Sequence, residues 1–172
     1  MLNILKYSRN RCITVEQLDE KTLISTCRLQ DTLTDACVKI WVSLPNLEIT
    51  EGSAEVYRTY QEECRNSPKA LEKVIGVRIG PGMLKIIKGL AGEETECSQL
   101  IFMIEECCNG VILAFTKETI LSIPSPKEGT ESKEFYAEMV RKNVRLYNRC
   151  AAFAPGSPLV EGIDLSGKGR RQ

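Results

Sequence analysis

Apolar residues recur along this chain with two different periods, and the change from one to the other falls near residue 67. Residues 11–29 (CITVEQLDEKTLISTCRLQ) hold two β-prone runs on either side of a polar QLDEK turn, the pattern of a hairpin. In residues 36–44 (ACVKIWVSL), Val38, Ile40 and Val42 fall on one face and Cys37, Lys39, Trp41 and Ser43 on the other, which predicts a half-buried strand. After Pro45 and Asn46, Leu47 and Ile49 alternate against Glu48 and Thr50, so residues 47–56 read as the returning partner. The first third is therefore expected to form an antiparallel meander of about four strands.

From Ser67 the spacing becomes helical. Ser67 suits an N-cap and Pro68 the first position of a short helix through Ala70, Leu71, Val74 and Ile75, ending near Gly76. A second helix is expected after Gly80-Pro81-Gly82, carrying Leu84, Ile86, Ile87 and Leu90 and stopping at Gly92. A third, residues 95–116, shows a stripe of Leu100, Ile104, Cys107 or Cys108, Val111 and Phe115, with Asn109-Gly110 as a place to kink. Residues 123–130 (IPSPKEGT) read as a linker. The last helix, residues 132–150, sets Phe135, Met139, Val140, Val144 and Tyr147 against Lys133, Glu134, Lys142 and Arg145. Strands first and helices later predict the α+β class, with three to four helices on one face of the sheet. Residues 1–154 read as one domain and residues 155–172, rich in Pro and Gly, as a loosely ordered tail.

Composition removes many functions. Lys plus Arg equals Asp plus Glu at 23 each, so no net field recommends nucleic acid or an anionic membrane as partner. The basic cluster Lys168, Arg170 and Arg171 lies among glycines and reads as part of the tail. The opening MLNILKYSRNR has no export-signal pattern, and the longest apolar segment, residues 100–115, is interrupted by Glu105, Glu106 and Asn109. A soluble, cytoplasmic protein is expected, and its eight cysteines, with no CxxC among them, are expected to be reduced thiols. Histidine is absent, which excludes Ser-His-Asp and Cys-His nucleophilic sites and zincin helices.

Gly80-Pro81-Gly82 lacks the spacing of a nucleotide loop and reads as a turn. Glu93, Glu94 and Glu96 occupy a helix start, where acidic residues complement the dipole, and with Glu105 and Glu106 they read as solvated. Cys12, Cys27, Cys37, Cys107 and Cys108 fall on strands or on the helical stripe, and core positions are expected for all five. Cys64, Cys97 and Cys150 instead sit at element boundaries. A thiol at a helix N-terminus, as expected for Cys97, has its thiolate stabilised for attack or metal ligation.

The run VIGVRIGPGMLKIIKGLAGEETECSQL resembles the signature of the bacterial domain-of-unknown-function family numbered 2889: LVGLRIGPGW, a short helix, LGG, then GCTHLxELL. Upstream, VKIWVSLPNLEITEGSAEVYRTYQEEC is similar to the family's strand pair and following cysteine, and downstream NRCAAFAPGSPLV resembles its terminal cysteine motif. The similarity covers residues 7–160 and implies family-type cysteines at Cys64, Cys97 and Cys150. Where the family has Cys-Thr-His this chain has Cys97, Ser98 and Gln99, so the family histidine is replaced. The resemblance names relatives and no reaction. The order of elements is also similar to the iron-sulfur scaffold fold, in which three cysteines gather at one end of the sheet.

Three functions follow as expectations. The first is an accessory metal-binding protein holding zinc or an iron-sulfur cluster through Cys64, Cys97 and Cys150, with water, Gln99 or a carboxylate as the remaining ligand. The second is a small cytosolic binding module or accessory subunit for a protein partner, its cysteines merely buried. The third, a thiol enzyme using Cys97, lacks a histidine partner.

Overall fold

The computed structural model describes residues 4–60, 62–95, 97–122, 132–148 and 150–163. The chain divides into two compact units, Met1–Ala114 and Phe115–Gln172. The class is α+β. The first unit opens with four antiparallel strands in the order β1 (Arg9–Asp19), β2 (Thr22–Asp31), β3 (Asp35–Ser43) and β4 (Glu48–Arg58). These match the expected meander.

Register explains which face is buried. Leu23, Ser25, Cys27 and Leu29 of β2 stand opposite Val42, Ile40, Val38 and Ala36 of β3, and all eight are buried. The same register sets Arg9, Arg11, Ile13 and Val15 of β1 opposite Asp31, Leu29, Cys27 and Ser25, on that same face. Because β1 is an edge strand, most of its residues remain exposed. Cys12 points away from the covered face and is exposed, which corrects its expected core position.

After β4 the chain enters a 3-10 stretch, Glu62–Val74, rather than an α-helix capped at Ser67. Ser67 and Pro68 lie inside it. The buried pair Leu71 and Val74 is spaced by three residues, a spacing that eclipses in a helix of 3.0 residues per turn and holds one face against β4. Gly52 of β4 permits the approach: a Cβ there would meet Leu71 Cδ2 at 3.0 Å. Gly76, at φ +86°, then turns the chain, and residues 76–79 run extended beside the start of β4, with Ile49 N–H donating to Val77 O and Ile79 N–H to Leu47 O. Part of the expected helix-and-turn segment is thus an extra bridge that buries Val77 and Ile79.

Helix α1 (Met83–Thr95) continues past Gly92, and α2 (Ser98–Leu121) follows. Within the first unit α2 lies on the buried sheet face. The Ser25 hydroxyl donates to the Cys107 carbonyl at 2.8 Å, and Leu100, Met103, Ile104, Cys107, Cys108 and Val111 are buried. The helix runs unbroken through Gly110, which lets it come close to β1, since a Cβ there would stand 2.7 Å from Ile13 Cγ2. By length and composition alone Ser98–Glu118 is long and apolar enough to cross a bilayer, so its glutamates do not interrupt it as expected. Its buried stripe is used against the sheet.

In the second unit α3 (Ser132–Lys142) ends earlier than expected and is followed by 3-10 turns at Val144–Leu146 and Ala151–Phe153. Ala137, Met139 and Val140 are buried, and Tyr136 stacks near Phe135 and Phe153. Val160 is buried within a run of turns. The expected linker, residues 123–130, and residues 164–172 of the expected tail lie outside the described residues.

Candidate functional site

Two cavities of the first unit adjoin the start of α2, and Gln99 lines both. The first, about 60 Å³, is walled by β3, β4, the 3-10 stretch and the first turn of α2. Its floor comes from the facing pairs Ala36–Val56 and Val38–Ala54. Each pair includes an alanine, and the shortened side chains leave a space that larger residues would fill. Leu100 and Met103 close it from the helix side.

The loops bring Cys64 and Cys97 to this recess, together with Gln99. Cys64 is carried by the 3-10 stretch, and Cys97 immediately precedes α2, where its carbonyl accepts hydrogen bonds from the Leu100 and Ile101 N–H groups at 3.1 and 3.2 Å. Both thiol residues are half-buried. Cys37 also lines the recess, but strand alternation puts its side chain on the opposite face from Ala36 and Val38. Cys150 belongs to the second unit and is exposed.

Cys27, Cys37, Cys107 and Cys108 are core. None of the eight is in a disulfide. Burial pushes the Cys27 thiol up to about 11, helped by the nearby charge of Glu106, and the Cys108 thiol up to about 12, helped by Glu105. Burial likewise raises Cys107 and Cys37. A thiol held neutral this way is a poor nucleophile and a poor metal ligand. Among the described residues no group of three or more His, Cys, Asp or Glu side chains is gathered to hold a metal ion. The two thiol residues at the recess therefore fall short of the four ligands of a structural zinc site or of a common iron-sulfur cluster.

The second cavity, about 230 Å³, is lined by Arg9, Arg11, Ser98, Gln99 and Phe102. Nothing in the local sequence marks it, because β1 and α2 are far apart in the chain. The one available signal is that Arg9 and Arg11 share strand parity with Ile13 and Val15.

Comparison with protein-family models, with curated proteins and with solved structures finds no match for this chain.

Proposed function

We propose that this chain is an accessory binding protein without chemistry of its own, whose ligand is a small, thiol-seeking species seated in the recess that Cys64 and Cys97 both line. The supporting observation is that these two residues, from different elements, line one small and otherwise mostly apolar recess. Size narrows the ligand. A space of about 60 Å³ suits one ion or a group of a few atoms and falls well short of the roughly 300–1,000 Å³ of pockets that take drug-sized ligands. Soft thiolates favour a soft partner. The absence of histidine removes the side chain best matched to acid-base catalysis at neutral pH, which favours holding and handing over as the activity.

A more specific form of this reading has zinc or an iron-sulfur cluster as the ligand, with Cys64, Cys97 and Gln99 of the first unit among its ligands. The resemblance to family 2889 favours it, since the motif places cysteines at positions 64 and 97. Membership of that family is part of the same proposal.

One set of measurements separates these forms. Phenylarsine oxide, which bridges two neighbouring thiols with loss of water, is expected to form a one-to-one adduct with the native protein. Cys64→Ser and Cys97→Ser should each abolish it. An adduct that persists in either variant, or none in the native chain, sinks the shared-recess reading. Elemental analysis of anaerobically purified protein then tests the metal form, which requires stoichiometric zinc or iron that Cys64→Ser and Cys97→Ser both lose.

A further inference from the structure

The second cavity carries a different inference, independent of the thiol recess. Its walls are two arginines, a hydroxyl, an amide and an aromatic ring, and among the described residues no carboxylate lines it. Arg9 is held in place by Asp31, with Nε and Nη2 donating to Oδ2 at 2.9 and 2.7 Å, so its charge is matched and its orientation fixed. Arg11 is in another condition. Its guanidinium lies over the Phe102 ring, 4.8 Å from the centroid, and among the described residues it forms no ion pair. Glu106, one helical turn beyond Phe102, makes none with it either.

Stacking on the ring leaves the edge of the Arg11 guanidinium, where its N–H donors lie, free to face a ligand, and a guanidinium fork matches a carboxylate or phosphate edge. Ser98 and Gln99 are the first two residues of α2, and the N–H groups of a helix's first turn have no acceptor within the helix. The Gln99 amide and Ser98 hydroxyl add polar atoms on the same wall. At about 230 Å³ the space is several times that of the thiol recess and accommodates a phosphate or carboxylate together with a small organic body.

We propose that the cavity between Arg9, Arg11, Ser98, Gln99 and Phe102 binds the oxyanion of a small metabolite, a phosphate or carboxylate group, with Arg11 as the principal contact. Arg11 supplies the uncompensated charge and Arg9, braced by Asp31, a second set of donors. An inward-pointing arginine on an edge strand has a competing use, since it discourages pairing with another chain, and that use requires no anion affinity.

Calorimetric titration of the full chain with inorganic phosphate, and separately with acetate, at ionic strength held constant with sodium chloride, decides between them. Saturable one-site binding of phosphate assigns the phosphoryl class, and of acetate the carboxylate class; either supports the site. Arg11→Gln should then weaken binding at least about tenfold, the loss expected for one charge-assisted contact, with an unchanged circular dichroism spectrum. Arg11→Lys, which keeps the charge without the fork, should recover only part of it. The amide resonances of Ser98 and Gln99 in the native protein should move with the same isotherm, a reading that does not depend on any variant folding. Absence of saturable binding of both anions in the millimolar range, equal affinity in Arg11→Gln, or unmoved Ser98 and Gln99 resonances overturns the proposal.

Discussion

Gly110 shows how one missing methyl fixes a distance. Alanine in the middle of a helix is ordinarily better than glycine by about 1 kcal/mol. Here the added Cβ would stand 2.7 Å from Ile13 Cγ2 and 3.2 Å from Val15 Cγ2, and overpacking of this kind costs about 1–3 kcal/mol. The clash outweighs the propensity gain, so Gly110→Ala is expected to lower stability by about 1 kcal/mol in urea unfolding. The pairing with Ile13 makes the cause testable: Ile13→Ala should cost less in the Gly110→Ala background than in the native one. Additive effects of the two substitutions would mean that the helix does not rest on β1 at this point. The same contact gives the Asn109-Gly110 pair, read from sequence as a place to kink, a packing use inside an unbroken helix. Composition identifies the glycine, and only the neighbouring strand reveals its use.

At the scale of elements, the turn between β2 and β3 depends on Asp31. Its carboxylate accepts hydrogen bonds from the N–H groups of Leu33 and Thr34 at 2.8 and 2.7 Å and from Arg9, while its own N–H donates to the Thr34 carbonyl. Burial alone would raise its pKa, but the two backbone donors and the Arg9 guanidinium outweigh that and hold it below its ordinary value. Asp31→Ala should cost about 2 kcal/mol in urea unfolding, because three part-buried donors lose their shared acceptor. The strands themselves were legible because their period-2 pattern is unbroken: Val38, Ile40 and Val42 predict the buried face of β3, and the structure buries all three. Edge position is not written in such a pattern, which is why Cys12 was assigned to the core. The 3-10 form of Glu62–Val74 was equally hidden, since Leu71 and Val74 satisfy both helical periods and only the close approach at Gly52 selects between them. Of the site, Cys64, Cys97 and Gln99 were found through their boundary positions and a motif. Arg9 and Arg11 were missed because their partners lie on α2, with no local signal to join them.

For the whole molecule, ionisable groups of the core add a pH dependence to stability at both ends of the scale. On the acid side Asp31 has a lowered folded pKa, so its contribution is complete above its ordinary value of 3.8 and is lost as pH falls through the folded value. On the alkaline side the sign reverses, because the buried thiols of Cys27, Cys107 and Cys108 have folded pKa values raised above the ordinary 9.0. Each remains neutral in the core while the same thiol in the unfolded chain ionises. Stability from this source is therefore full below about pH 9 and falls as pH rises towards about 11 for Cys27 and about 12 for Cys108. Each thiol contributes a slope of about 1.4 kcal/mol per pH unit within its window. Lysines and tyrosines titrate in the same range, so a fall in melting temperature between pH 8 and pH 10.5 does not by itself identify the cause. Cys108→Ala does: it should be less stable than the native protein at pH 8, for lost packing, yet lose less further stability by pH 10.5. The two melting curves should converge as pH rises. Parallel curves would mean that Cys108 ionises in the folded core as easily as in the unfolded chain, and would remove the basis for treating the buried cysteines as structural.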